Sequence, residues 1–150
     1  MRGLVTYTTR QLKTKEELVA VKDFLNEAGD NLTGDEMYPE FKGFMKMNPL
    51  KYAEKARFIV CFRDDEPVGL MLSRIGPVLF DPNLKMLKQD LLYAKPNTRA
   101  AYYLMKEFLD FGKNHADHII TMIGARTNVK RQSLEKLGFK KLEELYRIEV

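Results

Sequence analysis

The segment from Arg57 to Arg63 constrains the fold most, because five consecutive apolar residues lie between its two arginines. A strand of this composition is too apolar for the edge of a sheet. The acidic, proline-containing residues 64–67 predict a turn, and Val68 to Arg74 is typical of a strand that returns beside the first. The sequence therefore predicts an antiparallel hairpin in the middle of the chain.

The residues before this hairpin predict one strand and two helical segments. Residues 5–10 are mostly β-branched or aromatic and indicate a first strand. Thr14 and Glu17 have the spacing of a capping box, and an apolar helical face follows, which Gly29 is expected to end. A second short apolar face spans 38–45.

The residues after the hairpin predict a further strand and the longest helix. A connection rich in Gly, Pro, Asp and Asn is predicted over 76–83, and it leads to a strand near 87–94. The helix that follows has a wide apolar stripe, formed by Ala101, Leu104, Met105, Phe108, Leu109 and Gly112.

The last part of the chain predicts a strand, a helix and a strand. The first strand spans 118–123, Asn128 and Gly138 begin and end the helix, and the last strand spans 142–150. The complete order, β-α-α-β-β-β-α-β-α-β, indicates an α/β fold in which helices cover both faces of a mixed sheet of about six strands. No repeat or flexible linker interrupts residues 1–150, so we expect a single domain.

Composition narrows the classes of function. The net charge is +4 and the pI about 9.1, but the basic residues alternate with acids, so a nucleic-acid partner is not expected. No apolar run approaches the roughly 18–20 residues of a membrane-spanning helix, and the first residues do not resemble a signal peptide. A single cysteine, Cys61, excludes an internal disulfide and a cysteine-based zinc site, and we expect no metal. These features predict a cytoplasmic protein.

Three stretches resemble the Gcn5-related N-acetyltransferase (GNAT) superfamily. The acidic turn followed by Val68-Gly69 is similar to the family's second and third strands, and residues 93–100 resemble its aromatic-Val-x-Pro-x-x-Arg-Gly segment. Asn128 with residues 134–139 closely follows the family's Asn…Leu-Tyr-Glu-Lys-Leu-Gly-Phe ending. The resemblance implies a GNAT-like fold and transfer of an acyl group, from acetyl-coenzyme A or another acyl-coenzyme A, to an amine of a small molecule or protein.

The resemblance also implies where the cofactor binds. In the family, acetyl-coenzyme A lies where two parallel strands diverge, here residues 91–94 and 119–123, and its pyrophosphate rests on amides of the loop after the first of them. The implied cofactor-binding residues are Leu92, Tyr93, Ala94, Lys95, Asn97, Thr98, Arg99, Ala100 and Asn128. This loop departs from the family because it contains no glycine, and Pro96 removes one amide donor. Helix capping is the alternative role for Thr98 and Asn128.

The catalytic residues are less well defined by the pattern. Acyl transfer to an amine needs a base for the amine and, in many family members, an acid for the leaving thiolate. The family's acidic tyrosine corresponds to Leu134, which cannot donate a proton. Asp90 is the candidate base, with Glu66 as an alternative. Tyr93 is the candidate acid, with Tyr102 and Tyr103 as alternatives, and packing is the other role for each of the three.

Two interpretations follow from these departures. The chain is either an active N-acetyltransferase or a catalytically inactive GNAT-fold protein with a binding or structural role, such as a divergent phage virion or host-interaction protein. An open cleft beside Leu92 and Ala94 would favour the enzyme, whereas a cleft filled by Tyr102, Tyr103 or Met105 would favour the binding protein. The sequence leaves a homodimer open.

Overall fold

The computed structural model describes residues 4–33, 54, 56–78, 80–121 and 131–141. The expected second helical face over 38–45, Asn128 and the expected strand over 142–150 lie outside the described residues.

The described residues form a five-stranded sheet with helices on both faces. The strands are β1 (Tyr7–Gln11), β2 (Arg57–Arg63), β3 (Glu66–Val78), β4 (Asp81–Ala94) and β5 (His118–Ile120). The helices are α1 (Lys15–Ala20), α2 (Lys22–Thr33), α3 (Ala100–His115) and α4 (Arg131–Lys136). The strand order is β1-β2-β3-β4-β5, and every pair is antiparallel except β4 and β5, which are parallel. The predicted mixed α/β fold is confirmed, with five strands in the described part of the chain against the expected six or so.

The central hairpin forms where the sequence predicts it. Phe58 to Phe62 of β2 are all buried, between β1 and β3. Asp64 and Asp65 form a two-residue turn with φ angles of 49° and 68°. Two consecutive residues of positive φ match the right-handed twist of the strands, and Asp tolerates this conformation better than most residues.

The predicted connection over 76–83 is wrong, because β3 and β4 continue through it as a long hairpin. Gly76 pairs with Met86 and Pro77 pairs with Lys85. The pairing of β2 with β3 ends at Ser73, so in the described residues this part of β3 has β4 as its sole neighbour. Proline and glycine are tolerated at such an edge, because one side of the strand needs no hydrogen-bonded partner.

The predicted helix end at Gly29 is also wrong. The capping box is present: the Glu17 amide donates to Thr14 Oγ1 at 3.2 Å, and the Thr14 amide donates to Glu17 Oε1 at 3.1 Å. The helix is interrupted at Val21 (φ −114°, ψ 20°), and α2 then continues through Gly29. A glycine inside a helix costs about 1 kcal/mol. Burial of the α2 face, which includes Phe24, Leu25 and Ala28, outweighs this cost.

Two cores lie on opposite faces of the sheet. The α2-side core consists of Leu12, Leu18, Val21, Phe24, Leu25, Ala28, Phe58, Val60, Phe62, Leu70, Leu72 and Leu91. The α3-side core consists of Ile59, Cys61, Val68, Met71, Leu87, Leu92, Ala100, Leu104, Met105, Phe108 and Leu134. Burial raises the pKa of the Cys61 thiol to about 11, which keeps it protonated and unreactive. No helix among the described residues is both long and apolar enough to cross a membrane.

The end of α4 follows the predicted pattern. Gly138 has a φ of 96°, a left-handed conformation that favours glycine. The chain reversal lets the Phe139 amide donate to the Leu134 carbonyl at 3.1 Å, and the Phe139 ring packs against the α3-side core.

Candidate active site at the carboxyl end of β4

The parallel pairing of β4 and β5 ends abruptly. It covers three residue pairs, from Met86 with His118 to Lys88 with Ile120. Just beyond it, β4 contains a bulge, because Gln89 pairs with Ser73 whereas Leu91 pairs with the preceding Leu72. A bulge bends its strand and increases its twist, which carries the end of β4 away from the line of the pairing.

A buried hydrogen bond marks the point where the pairing ends. Thr121, which directly follows β5, donates from its hydroxyl to the side-chain oxygen of Gln89. Gln89 is 3% exposed, so this contact joins the two strands inside the protein. The pairing of the described residues therefore ends just before Gln89 and Thr121, and residues 122–123 of the predicted second strand lie outside the described residues.

The bulge places the predicted site residues on two different faces of the sheet. Leu92 belongs to the α3-side core and Ala94 packs against it, whereas Tyr93 packs against the α2-side core. Leu92 and Ala94 therefore lie on the face of the sheet that α3 covers. Tyr93 lies on the opposite face, towards α2.

The loop between β4 and α3 is closed by local hydrogen bonds. The Lys95 amide donates to the Val68 carbonyl at 2.8 Å, and Thr98 Oγ1 donates to the Lys95 carbonyl at 2.7 Å. Asn97 has a φ of 61°, so it takes the left-handed conformation for which family members have glycine available. Asn is one of the few other residues that adopts it at low cost. The absence of glycine therefore does not prevent a tight turn here.

The first turn of α3 presents free amides at this loop. The Tyr103 amide donates to the Arg99 carbonyl at 3.3 Å, so the amides of Ala101 and Tyr102 precede the first bond of the helix. Arg99 begins the helix without a capping side chain, and Thr98 Oγ1 lies 3.4 Å from the Ala100 nitrogen. Ala100 is one of the predicted cofactor-binding residues in this loop. Because it is fully buried, only its backbone would contact a cofactor.

Sequence analysis missed Tyr7, which reaches this loop from β1. The Arg99 amide donates to the Tyr7 hydroxyl at 3.1 Å. The Tyr7 ring stacks on Tyr103, with centroids 4.8 Å apart and planes 11° apart. The Arg99 guanidinium lies over the Tyr102 ring at 5.1 Å. No local signal in the sequence could join residues 7 and 99.

The three bulky residues of α3 that were expected to fill a cleft beside β4 lie in different environments. Tyr103 stacks on Tyr7 of β1, which is separated from β4 by β2 and β3. Tyr102 meets Tyr103 edge to face and is half exposed. Met105 lies in the same core as Leu92, and Tyr103 is partly buried against that core. Of the three residues expected to fill a cleft, Met105 is therefore buried beside Leu92, Tyr103 is partly buried against the same core, and Tyr102 is half exposed.

A polar cluster lies on the α2 side of the β4 terminus. Lys95 Nζ is 3.3 Å from Glu27 Oε2 and 3.8 Å from Glu66 Oε1. The Tyr93 hydroxyl accepts a hydrogen bond from Asn31 Nδ2 at 3.4 Å. Burial, and then the nearby Glu27 carboxylate, raise the pKa of Tyr93. The charged end of Lys95, predicted at the cofactor loop, is thus held by carboxylates on the α2 side. Glu27 was not predicted.

Asp90, the predicted base, is held by an arginine of the neighbouring strand. Arg74 Nε donates to Asp90 Oδ2 at 2.6 Å and its terminal nitrogen donates to Oδ1 at 2.9 Å. The carboxylate raises the pKa of Arg74, through this hydrogen bond and by charge. Each oxygen of Asp90 therefore already accepts one hydrogen bond.

The remaining predicted positions give no further catalytic group. Leu134, at the position of the family's tyrosine, is 7% exposed and packs in the α3-side core. Within the described ranges, no three His, Cys, Asp or Glu side chains converge as a metal site would require.

The fold aligns with solved structures over nearly its full length. A transcriptional regulator from Bacillus halodurans C-125 matches 97% of this chain and 100% of its own, with TM-score 0.67 and 16% identity. A ribosomal-protein-alanine N-acetyltransferase from Brucella melitensis biovar Abortus 2308 matches 98% and 99%, with TM-score 0.67 and 12% identity. An aminoglycoside N-acetyltransferase solved in complex with coenzyme A matches 99% and 97%, with TM-score 0.64 and 13% identity. The chain therefore has a GNAT-like fold.

No protein-family profile matches the sequence, and no curated protein matches it.

Proposed function

We propose that this chain is an acyl-coenzyme A-dependent N-acetyltransferase, formed by one GNAT-like domain over 1–150, that acts on an amine of a small molecule or protein. The observation that carries the proposal is the arrangement around β4. Its pairing with the parallel strand β5 ends at a bulge, and the strand then leads through a tight turn into the free amides of α3. This arrangement lies within a fold shared with acetyltransferases.

The loop residues fit the phosphate groups of coenzyme A. Coenzyme A is the ligand in the structurally similar aminoglycoside N-acetyltransferase. The amides of Ala101 and Tyr102 and the exposed guanidinium of Arg99 would hold the pyrophosphate, because a helix N-terminus and a cation both stabilise anions. Leu92 and Ala94 would contact the pantetheine arm from the α3 side. When bound, the cofactor would supply an acyl group activated as a thioester.

The α2 side of β4 would receive the acceptor amine. Glu27 and Glu66 place two carboxylates around the Lys95 ammonium, so this region accommodates a cationic amine. Tyr93 would be the proton donor, although burial raises its pKa and so makes it a weaker acid than an exposed tyrosine. Asp90 would act as base through the lone pairs that Arg74 leaves free, since each of its oxygens accepts one hydrogen bond from Arg74 and has room for a second. We place the activity in the cytoplasm, where a reduced Cys61 is stable.

The first experiment is calorimetric titration of the purified chain with acetyl-coenzyme A. Micromolar binding is expected, because two free amides and a guanidinium converge at the loop. Absence of both heat and thermal stabilisation at millimolar ligand would contradict a cofactor site. An acceptor screen with amines and amino-terminal peptides would follow a positive result.

Replacing Arg99 with Glu should weaken binding of acetyl-coenzyme A by about tenfold or more, because a cation at the phosphates becomes an anion. The matched control is Lys113→Glu, which makes the same change of charge on an exposed residue in the last turn of the same helix. Calorimetry on both variants measures the difference. Equal affinities for the two variants would remove Arg99 from the site.

The second candidate is a catalytically inactive GNAT-fold protein with a binding or structural role, for example in a phage virion or at a host protein. Tyr7 favours it, because its hydroxyl already occupies the Arg99 amide and its ring fixes Tyr103 beside it. Leu134 in place of the family's tyrosine points the same way. This candidate predicts no response to acetyl-coenzyme A in the titration.

A further inference from the structure

A groove of about 480 Å³ runs between β1 and one side of α3, away from the end of β4. Its walls include Tyr7 and Thr9 of β1 and Lys106, Glu107 and Asp110 of α3. A volume of this size is typical of ligand sites in proteins. Tyr7 joins this groove to the loop at Arg99, but the groove itself was not assigned a ligand above.

The backbone of β1 is free on the side of β1 that faces away from β2. Leu12 donates to the Phe58 carbonyl and the Thr6 carbonyl accepts from Asp64, which fixes the pattern of this antiparallel pair. In such a pair every second residue bonds to the neighbouring strand, so Thr6, Thr8, Arg10 and Leu12 face β2. The amides and carbonyls of Tyr7, Thr9 and Gln11 therefore point outward. Among the described strands, none pairs with this edge.

The free backbone and the groove coincide. Tyr7 and Thr9 supply both the outward backbone groups and two side chains of the groove wall. A free strand edge beside a helix flank is the arrangement in which proteins bind an extended peptide as an added strand. The backbone of the peptide bonds to the edge, and every second side chain enters the groove.

The charges on α3 define which peptide fits. Lys106 and Asp110 line the groove one helical turn apart and are exposed. The Asp110 carbonyl accepts from Asn114 Nδ2 at 2.9 Å, but neither the Lys106 ammonium nor the Asp110 carboxylate has a hydrogen bond or ion pair to a described residue. Four helical residues rise about 6 Å, and two residues of an extended strand span about 6.8 Å. Glu107, between them in sequence, is neutralised by Arg57. The groove therefore complements an extended chain with one acidic and one basic residue two positions apart.

A second copy of this chain fits less well. Direct pairing of β1 with its copy would involve five residues of each strand. The β1 of the copy, with the sequence YTTRQ, has one basic residue and no acidic residue, so it lacks the pair of charges that would match Lys106 and Asp110.

We propose that the groove between β1 and α3 binds an extended segment of a partner protein by strand addition, with an acidic and a basic side chain set against Lys106 and Asp110. This site is independent of acyl transfer, so a failure of the titration with acetyl-coenzyme A leaves it standing.

The test uses two synthetic nine-residue peptides of identical composition, capped at both ends and labelled with fluorescein. Both have a Thr/Val background; one carries Glu and then Lys two positions later, and the other carries Lys and then Glu. Fluorescence anisotropy with the full chain should show a preference of about tenfold for one order. The double variant Lys106→Glu/Asp110→Lys should reverse that preference, whichever way the peptide runs. Lys113→Glu, on the same helix but outside the groove, should leave it unchanged.

A second measurement tests the backbone and needs no protein variant. In a bound strand, alternate amides point towards β1 and the others point away from it. N-methylation of the amides that point towards β1 should abolish binding of the favoured peptide, and N-methylation of the others should spare it. Three results would overturn the proposal. These are equal affinity for the two peptides, a preference that the double variant does not reverse, and equal loss of binding from both sets of N-methylated positions. A dimer in sedimentation that the double variant loses, without peptide binding, would assign the groove to a second copy and also overturn it.

Discussion

Replacing Gly69 with valine is expected to lower the free energy of unfolding by about 3 kcal/mol or more. A Cβ at this position would lie 2.7 Å from the Ala100 Cβ and 2.8 Å from Leu104 Cδ1. The Leu104 side chain could rotate, but the Ala100 Cβ is fixed to the first turn of α3. The helix would therefore have to move off β3, and the loop that leads into it would move as well.

Gly76→Val is the matched control, since it adds the same side chain to the same strand. A Cβ at Gly76 would meet nothing within 4 Å, and valine favours strands. We expect its free energy of unfolding to stay within about 0.5 kcal/mol of the original. Urea denaturation of the two variants measures the contrast. Equal losses would show that α3 does not rest directly on β3 at Gly69.

The parts of the fold that follow local rules could be predicted from the sequence. The unbroken apolar run of β2 fixes its central place, and the stripe of α3 fixes a long buried helix. The capping box at Thr14 and the left-handed Gly138 are equally local. In each case the residues that determine the structure lie close together in the sequence.

The errors lie where tertiary contacts outweigh local propensity. Gly29 lies inside α2 because that helix buries one face against the sheet, and Gly76 and Pro77 lie inside β3 because β4 pairs with them. Glycine and proline raise the cost of a helix or strand by a limited amount, which packing or pairing can exceed. Composition alone does not reveal when this happens.

The loop that joins β4 to α3 could be located from the sequence, but not the direction of its side chains. The resemblance identifies residues 93–100 as the segment that leads from β4 into α3. The bulge at Asp90 determines which face of the sheet each later residue of β4 points to. Neither this bulge nor the contact between Tyr7 and Arg99 has a local signal in the sequence. The assignment of Lys95 to the α2 side depends on Glu27, which lies in a distant helix.

Replacing Arg57 with methionine is expected to lower the free energy of unfolding by about 3 kcal/mol, and the Tm by roughly 10 °C. The Arg57 side chain is 13% exposed, and its guanidinium forms a two-pronged ion pair with Glu107 of α3. It also lies 3.5 Å from the centroid of the Phe111 ring. Methionine keeps much of the apolar volume, but it leaves a partly buried carboxylate without its cation.

Arg74→Met is the matched control because Arg74 also forms a two-pronged pair, with Asp90. The Arg74 side chain is 58% exposed, so water solvates Asp90 once the arginine is removed. We therefore expect the free energy of unfolding to fall by less than about 1 kcal/mol. Thermal denaturation at neutral pH compares the variants. A loss for Arg74→Met as large as that for Arg57→Met would mean that burial does not determine the cost.

The double variant Arg57→Met/Glu107→Leu separates the two causes of the loss. If the cost comes from the stranded carboxylate, removing Glu107 as well should restore more than half of the stability, because an apolar pair can replace a buried ion pair at little cost. If the cost comes from the lost contact with Phe111, the double variant should remain as unstable as Arg57→Met. The first outcome would show that α3 is held to β2 at this point by charge neutralisation. The second would show that the guanidinium acts there mainly by stacking on an aromatic ring.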